Sequence, residues 1–204
     1  RDYYVTTVCD EGAGCQNGAK DKLTHTGLHG TETTKKTIES LLGIDINYTA
    51  KVNFTSVVNL VDALGGIDVD VKPGLAVDHF YTNDYFGTDY GVTEGINHLN
   101  GQAALCYARE RYAYQDGDRQ RVKNQQEVLM AIVKKATSPS VIGNYPALMD
   151  ALSGAFQTDL SQDEIQSLIQ FQLKEMPDWK FITYSLDGQG STEFCAELGN
   201  NASV

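Results

Sequence analysis

Four of the five arginines in this chain fall within thirteen residues: Arg109, Arg111, Arg119 and Arg121. Beyond Arg121 the chain uses lysine but no further arginine, so the segment selects guanidinium and not merely positive charge. A guanidinium is a rigid planar fork of donors that meets carboxylate or phosphate oxygens in pairs. Arg109 and Arg111 are two apart after a short helical stretch and can project to one side of an extended segment. Arg121 and Gln125 are four apart and share a helix face. Asp118 marks the start of that helix, where free N–H groups and the dipole favour a phosphate. Guanidinium groups, a helix end and an amide together suit a pyrophosphate, whose leaving oxygen gathers charge during phosphoryl transfer. The competing reading is surface salt bridging, because Glu110, Asp116, Asp118 and Glu127 are close in sequence.

The elements that must carry these residues follow from periodicity. The spacing predicts a strand at about residues 3–8 and a helix from about Gly30 to Leu42, with Leu28, Ile38, Leu41 and Leu42 inward and Gly43 as its left-handed stop. A strand over Tyr48 to Phe54 precedes a short helix, Ser56 to Leu64, capped by Thr55. Ile67-Asp-Val-Asp-Val alternates as a strand. Residues 73–95 read as a long loop, and Asn100 caps a helix over Gly101 to Ala108. A long helix runs from Asp118 to about Ala136 with Val122, Leu129, Ile132 and Val133 on its inner face. Pro146 starts another helix, Ser161 to Glu164 form a capping box opening a helix to about Glu175, and Trp179 to Ser185 alternate as a strand. Strands interleaved with helices predict an α/β fold, a layered α/β/α sandwich with a central mixed sheet. The apolar faces of the helices at 56–64 and 118–136 are core or the lining of a lipid tunnel. Asp78, Asp84 and Asp89 in the long loop lack the spacing of an EF-hand.

The 204 residues carry a net charge of -11, which excludes the broad basic face that nonspecific nucleic-acid binding needs. No apolar run approaches a membrane span, and no signal peptide is present. The strand-like first residues place the start of the chain inside a folded unit, with a leader or anchor expected upstream. Of the four cysteines, Cys9 and Cys15 bracket a Gly-rich turn that a short disulfide closes easily. A Cys106–Cys195 bridge is the other pairing, and the even count points to an oxidising compartment.

Several stretches, in order, resemble the LytR–CpsA–Psr family of Gram-positive cell-envelope proteins. They are Arg1-Asp-Tyr-Tyr-Val, Lys20-Asp-Lys-Leu-Thr-His-Thr-Gly-Leu-His-Gly, Lys51-Val-Asn-Phe and Leu60-Val-Asp-Ala-Leu-Gly-Gly-Ile-Asp-Val. Leu99-Asn-Gly-Gln-Ala-Ala-Leu, Tyr107-Ala-Arg-Glu-Arg-Tyr, Gly117-Asp-Arg-Gln-Arg and Asn124-Gln-Gln continue the series. The resemblance implies an extracellular domain, anchored in the cytoplasmic membrane, that transfers teichoic acid or capsular polysaccharide from a polyprenyl-pyrophosphate carrier to peptidoglycan. It maps the arginine positions to Arg1, Arg109, Arg111 and Arg121, and the acid and amide to Asp118 and Gln125. Arg119 joins the pyrophosphate-binding set, and so does Lys22, which otherwise reads as a solvated loop lysine. The resemblance also implies Mg²⁺, with its aspartate ligands in an earlier portion of the domain, upstream of Arg1. Residues 1–204 would then be a partial domain, inactive by itself. Two other readings are a noncatalytic polyprenyl-phosphate binding module and a transcriptional attenuator.

Overall fold

The computed structural model describes residues 2–138, 141, 156–177, 179, 180, 182, 184, 186 and 188–204. The chain divides into two units, Arg1–Thr49 with Tyr184–Val204, and Ala50–Thr183.

In the first unit β1 (Tyr4–Thr6) pairs antiparallel with β2 (Lys20–Lys22), and the loop between them carries the Cys9–Cys15 disulfide. A 3₁₀ turn over Leu23–His29 leads into α1 (Thr31–Leu42), and Gly43 ends that helix at φ 65° with its N–H on the Glu39 carbonyl. The inner face of α1 is polar, contrary to the reading from sequence. Thr33 and Thr37 are buried, their hydroxyls accepting from the Asp10 and Val8 N–H groups at 3.1 and 3.0 Å. Leu28 and Leu42 are exposed. The irregular backbone after β1 needs hydrogen-bond partners, and threonines on the facing helix supply them. The hairpin of β7 (Thr192–Cys195) and β8 (Asn200–Ser203) is tied to β1 by the Tyr4 hydroxyl, which donates to the Phe194 carbonyl at 2.7 Å.

The second unit holds the larger core. The alternation of β4 (Ile67–Val71) buries Ile67, Val69 and Val71 and pairs antiparallel with β5 (Gly95–Leu99). Against these pack α2 (Phe54–Ala63), α4 (Gly101–Arg109) and α5 (Asp118–Ala136), with Val61, Phe80, Ala104, Tyr107 and Val128 at the centre. The cap of α2 is Asn53, not Thr55: its Oδ1 accepts from the Ser56 N–H at 2.8 Å and starts the helix earlier than read. β3 (Ala50–Val52) pairs with β6 (Phe156–Thr158), and α6 (Gln162–Glu175) opens on the predicted Ser161–Glu164 capping box.

The α/β class holds. Among the described residues the strands pair in four separate antiparallel ladders, and a central mixed sheet is not among them. Alternation shows that a segment is a strand but not which neighbour it takes. Here the 73–95 segment doubles back through a Val77–Val92 bridge and lays β5 against β4. That segment is ordered by buried Asn83, the second residue of α3 (Thr82–Phe86). Its amide donates to the Tyr90 carbonyl at 2.6 Å and accepts from the Tyr90 N–H at 3.0 Å and the Thr88 hydroxyl at 2.9 Å. The helix expected at Pro146 lies outside the described residues. So do Phe181, Thr183 and Ser185 of the strand expected over 179–185, whose other residues carry no strand.

The α5 inner face also differs from the sequence reading. Gln120, Asn124, Val128 and Ala131 are buried, whereas Leu129 is exposed. Asn124 donates to the Tyr107 carbonyl at 3.1 Å and accepts from Gln120 at 2.8 Å. The last turn of α4 turns the Tyr107 carbonyl towards α5, and the Asn124 amide gives it a partner that a leucine could not. Cys106 and Cys195 do not form a disulfide: both are buried free thiols, one within α4 and the other at the end of β7 in the other unit.

Candidate functional site

The arginine site begins with the placement of α4. Asn100 caps it, its Oδ1 accepting from the Ala103 N–H at 2.8 Å. Gly101 lets it approach α2, because a Cβ there would stand 2.2 Å from the Val58 carbonyl oxygen. Arg109 ends the helix, and Glu110 redirects the chain. The Glu110 carboxylate is fully buried, and its Oε1 accepts from the N–H groups of Arg111, Tyr112 and Ala113 at 2.8, 2.8 and 3.1 Å. Its Oε2 and the buried Tyr114 hydroxyl have no partner among the described residues. A buried anion gathering three successive backbone donors holds the turn rigid, so Arg109 and Arg111 emerge in fixed directions.

Asp118, in the first turn of α5, spans two guanidinium groups. Its Oδ1 lies 3.4 Å from Arg111 Nη1 and its Oδ2 3.1 Å from Arg121 Nη2. With Asp118 and Arg111 both solvent-accessible, these pairs add only about 0–1 kcal/mol each to stability. Their consequence is orientation: the carboxylate keeps two forks side by side. Arg111 also meets the Tyr112 hydroxyl through Nη2 and lies over the Tyr112 ring at 4.4 Å. The Tyr112 hydroxyl and the Asp118 carboxylate both raise the Arg111 pKa, so its charge is permanent.

Arg109 is held differently. No carboxylate among the described residues pairs with it. Its guanidinium carbon lies 4.4 Å from the centre of the Phe54 ring, 5.6 Å from Phe86 and 5.8 Å from Tyr85. Aromatic faces attract a cation without neutralising it, so Arg109 keeps its hydrogen-bonding edge for an anion. Behind the site the Tyr107 hydroxyl donates to Glu127 at 2.5 Å. Burial and that bond push the Tyr107 pKa far up, so the group stays neutral.

The structure brings Arg109, Arg111, Asp118 and Arg121 to one region of the second unit. Arg119 and Gln125 are exposed on α5, and the Arg119 N–H, one of the expected free helix-end donors, is taken by the Asp116 carbonyl at 3.0 Å. Lys22 belongs to the other unit and pairs with Asp2 at 3.6 Å. Arg1 lies outside the described residues. Sequence reasoning missed the role of Glu110, taken only as a salt-bridge partner, and that of Asn124, given no weight. It also missed the aromatic surround of Arg109. An acid flanked by arginines at a helix end was the available signal for Glu110; none existed for Phe54, which is distant in sequence.

The Mg²⁺ implied by the resemblance does not fit the described residues. Among them no group of three or more His, Cys, Asp or Glu side chains is placed to hold a metal ion. Asp118 has both oxygens on arginines, and Asp84 and Asp89 lie against His79 at 3.5 and 2.8 Å. A cavity of about 760 Å³ follows α5 with Val69, Met130, Met176 and Trp179 among its lining residues, together with Lys72 and Lys123. No residue of α2 lines it. None of the helices among the described residues is long and apolar enough to cross a membrane.

Comparison with known proteins gives this arrangement a family. The LytR_cpsA_psr family model matches residues 1–197. The chain belongs to the LytR–CpsA–Psr family. The polyisoprenyl-teichoic acid–peptidoglycan teichoic acid transferase TagU of Enterococcus faecalis is 34% identical over 153 residues, which are 74% of this chain and 47% of that protein. The chain thus spans about half the length of the curated family members it matches. A crystal structure of a Streptococcus agalactiae protein superposes with a TM-score of 0.79 at 27% identity, covering 100% of this chain and 66% of that one. A structure of TagT bound to LI-WTA aligns with a TM-score of 0.64 at 30% identity, over 84% of this chain and 59% of that one.

Proposed function

We propose that this chain carries the pyrophosphate-gripping part of a glycopolymer transferase. The substrate is teichoic acid or capsular polysaccharide on a polyprenyl-pyrophosphate carrier, and the acceptor is a peptidoglycan hydroxyl. The acceptor oxygen attacks the phosphorus next to the glycan and gives up its proton. The bond from that phosphorus to the bridging oxygen breaks, a phosphodiester forms, and polyprenyl phosphate leaves. The setting is the outer face of the cytoplasmic membrane in a Gram-positive bacterium. Mg²⁺ would have to be held by residues other than those described.

The observation that carries this reading is the unneutralised guanidinium of Arg109 beside the Arg111–Asp118–Arg121 array, in a chain of net charge -11. Two forks gathered on one carboxylate, and a third with no counter-charge, would offer donors to the oxygens of a diphosphate. The relatives named as teichoic acid transferases, and TagT bound to LI-WTA, support the substrate class.

Calorimetric titration with pyrophosphate and with geranyl diphosphate tests the site. Arg109→Lys, Arg111→Lys and Arg121→Lys should each weaken binding by about 1.5–3 kcal/mol, the worth of a charge-assisted bond that an ammonium cannot make in pairs. Unchanged affinity in all three variants would reduce the cluster to surface salt bridging.

A further inference from the structure

The first unit holds a cavity of about 140 Å³ that shares no residue with the arginine site. It lies among the loop after β1, the 3₁₀ turn over Leu23–His29 and the residues just after β7, with Ala19 and Ala196 on its wall. Asp21 anchors it. The carboxylate is buried and accepts from the Lys22 N–H at 2.7 Å, the Glu197 N–H at 2.6 Å and His25 Nδ1 at 2.6 Å. Burial opposes its charge, but these bonds outweigh burial and hold the carboxyl below the usual carboxylate range. A carboxylate only accepts, so Nδ1 of a neutral His25 ring carries the proton and Nε2 keeps its lone pair. Nε2 has no partner among the described residues. Thr7 adds a second open group. It is only 6% exposed, and its N–H and carbonyl are taken by Ala19 and Gly18 at 2.8 and 2.9 Å. Its hydroxyl borders the cavity and has no partner among the described residues. A buried hydroxyl left unpaired is costly and calls for a ligand or water. Glu197 supplies a third group: Oε2 meets His29 Nε2 at 2.8 Å, and Oε1 takes no bond from the described residues.

We infer that this cavity binds a small primary ammonium compound, an –NH₃⁺ group on a short carbon body, held by Thr7 Oγ1, His25 Nε2 and Glu197 Oε1. An ammonium has three donors and no acceptor, the complement of three acceptors around one small space. Charge agrees. Glu197 is paired with His29, whose pKa it raises, which leaves the Asp21 charge uncompensated beside a neutral His25. Size sets the body. A cavity of about 150 Å³ holds a benzene-sized guest, so a pyranose or a nucleotide is excluded, and a chain of a few carbons fits against Ala19 and Ala196. An anion would meet the carboxylates of Asp21 and Glu197. A metal ion lacks its ligands, because no group of three or more His, Cys, Asp or Glu side chains among the described residues is placed to hold one. Water alone would satisfy the Thr7 hydroxyl but not the charge. The inference rests on none of the arginine chemistry.

The test is a titration of ethanolamine followed by the ¹H–¹⁵N signals of the imidazole side chains, on the parent chain, Thr7→Val and Glu197→Gln. Mildly alkaline buffer keeps an imidazole neutral and an amine charged. The controls are n-propanol, which lacks the charge, and tetramethylammonium, which lacks the donors. Ethanolamine should shift the His25 Nε2 signal saturably, and neither control should. Thr7→Val keeps the branched shape and the backbone bonds of the residue. It should weaken ethanolamine about tenfold, through one lost hydrogen bond to a charged group. Glu197→Gln removes a charge at an exposed position and should weaken it by a similar factor; it decides the matter if thermal unfolding shows Thr7→Val to be misfolded. A His25 signal that does not respond, or that responds as strongly to either control, overturns the inference. So does an ethanolamine affinity left unchanged in a variant that folds.

Discussion

Replacing Glu110 should loosen the site from within. The carboxylate accepts three N–H groups at 2.8, 2.8 and 3.1 Å and is completely shielded from solvent. A hydrogen bond to a charged group contributes about 1.5–3 kcal/mol, while the removal of one partner costs most where the other stays buried. Tyr112 and Ala113 are exposed, so water can reach their N–H groups once the carboxylate is gone. Arg111 is only half-exposed, and its N–H is the one poorly replaced. The sum for Glu110→Ala is therefore nearer about 3 kcal/mol than three full bonds. In a chain of this size that lowers the melting temperature by about 6–12 °C. Glu110→Gln keeps an acceptor at Oε1 but loses the charge and places N–H donors where Oε2 has no partner, for a loss of about 1–2 kcal/mol. Because the same three bonds aim Arg111, pyrophosphate affinity should fall in the same order, with Ala worse than Gln. Thermal unfolding and calorimetry on both variants decide the matter. A Glu110→Ala protein that melts within a degree or so of the parent and binds pyrophosphate equally well would refute the claim that this carboxylate holds the turn.

Gly101→Ala should cost about 3 kcal/mol, the upper range for overpacking, since the new Cβ meets Val58 backbone that has no room to yield; a melting temperature equal to the parent's would show that α2 and α4 can separate freely. Denatured protein alkylated without reductant should take up label at Cys106 and Cys195 only, read by intact mass, because Cys9 and Cys15 are paired. His29 has its pKa raised by its bond to Glu197 at 2.8 Å. Its contribution to stability is fully present below the unfolded value of about 6.5 and is lost as pH rises through the raised folded value. The melting-temperature difference between the parent and His29→Gln should therefore shrink from acid to alkaline pH, and a difference that grows would reverse the assigned linkage.

Local signals in the sequence were enough for the helices that carry the site. Asn100 before Gly101, the Ser161–Glu164 box and Gly43 after Leu42 set helix ends because caps act within one turn. The Cys9–Cys15 bridge was legible for the same reason, its partners being six residues apart across a Gly-rich turn. The arginine cluster was legible because guanidinium chemistry needs only residue type and spacing. Tertiary structure decided the rest. Thr33, Thr37 and Asn124 are buried because neighbouring segments present backbone groups that need polar partners, Gln120 is buried against the Asn124 side chain to which it donates, and no hydropathy pattern encodes the neighbour. Glu110 turned inward for its own backbone donors, while Asp118 turned outward to two arginines. Phe54 reaches Arg109 across fifty-odd residues only because Gly101 lets α4 approach α2. The sequence by itself determined which charges are available. Which of them stay unneutralised was decided by packing, because a guanidinium is free for a ligand only when its neighbours in space are rings and not carboxylates.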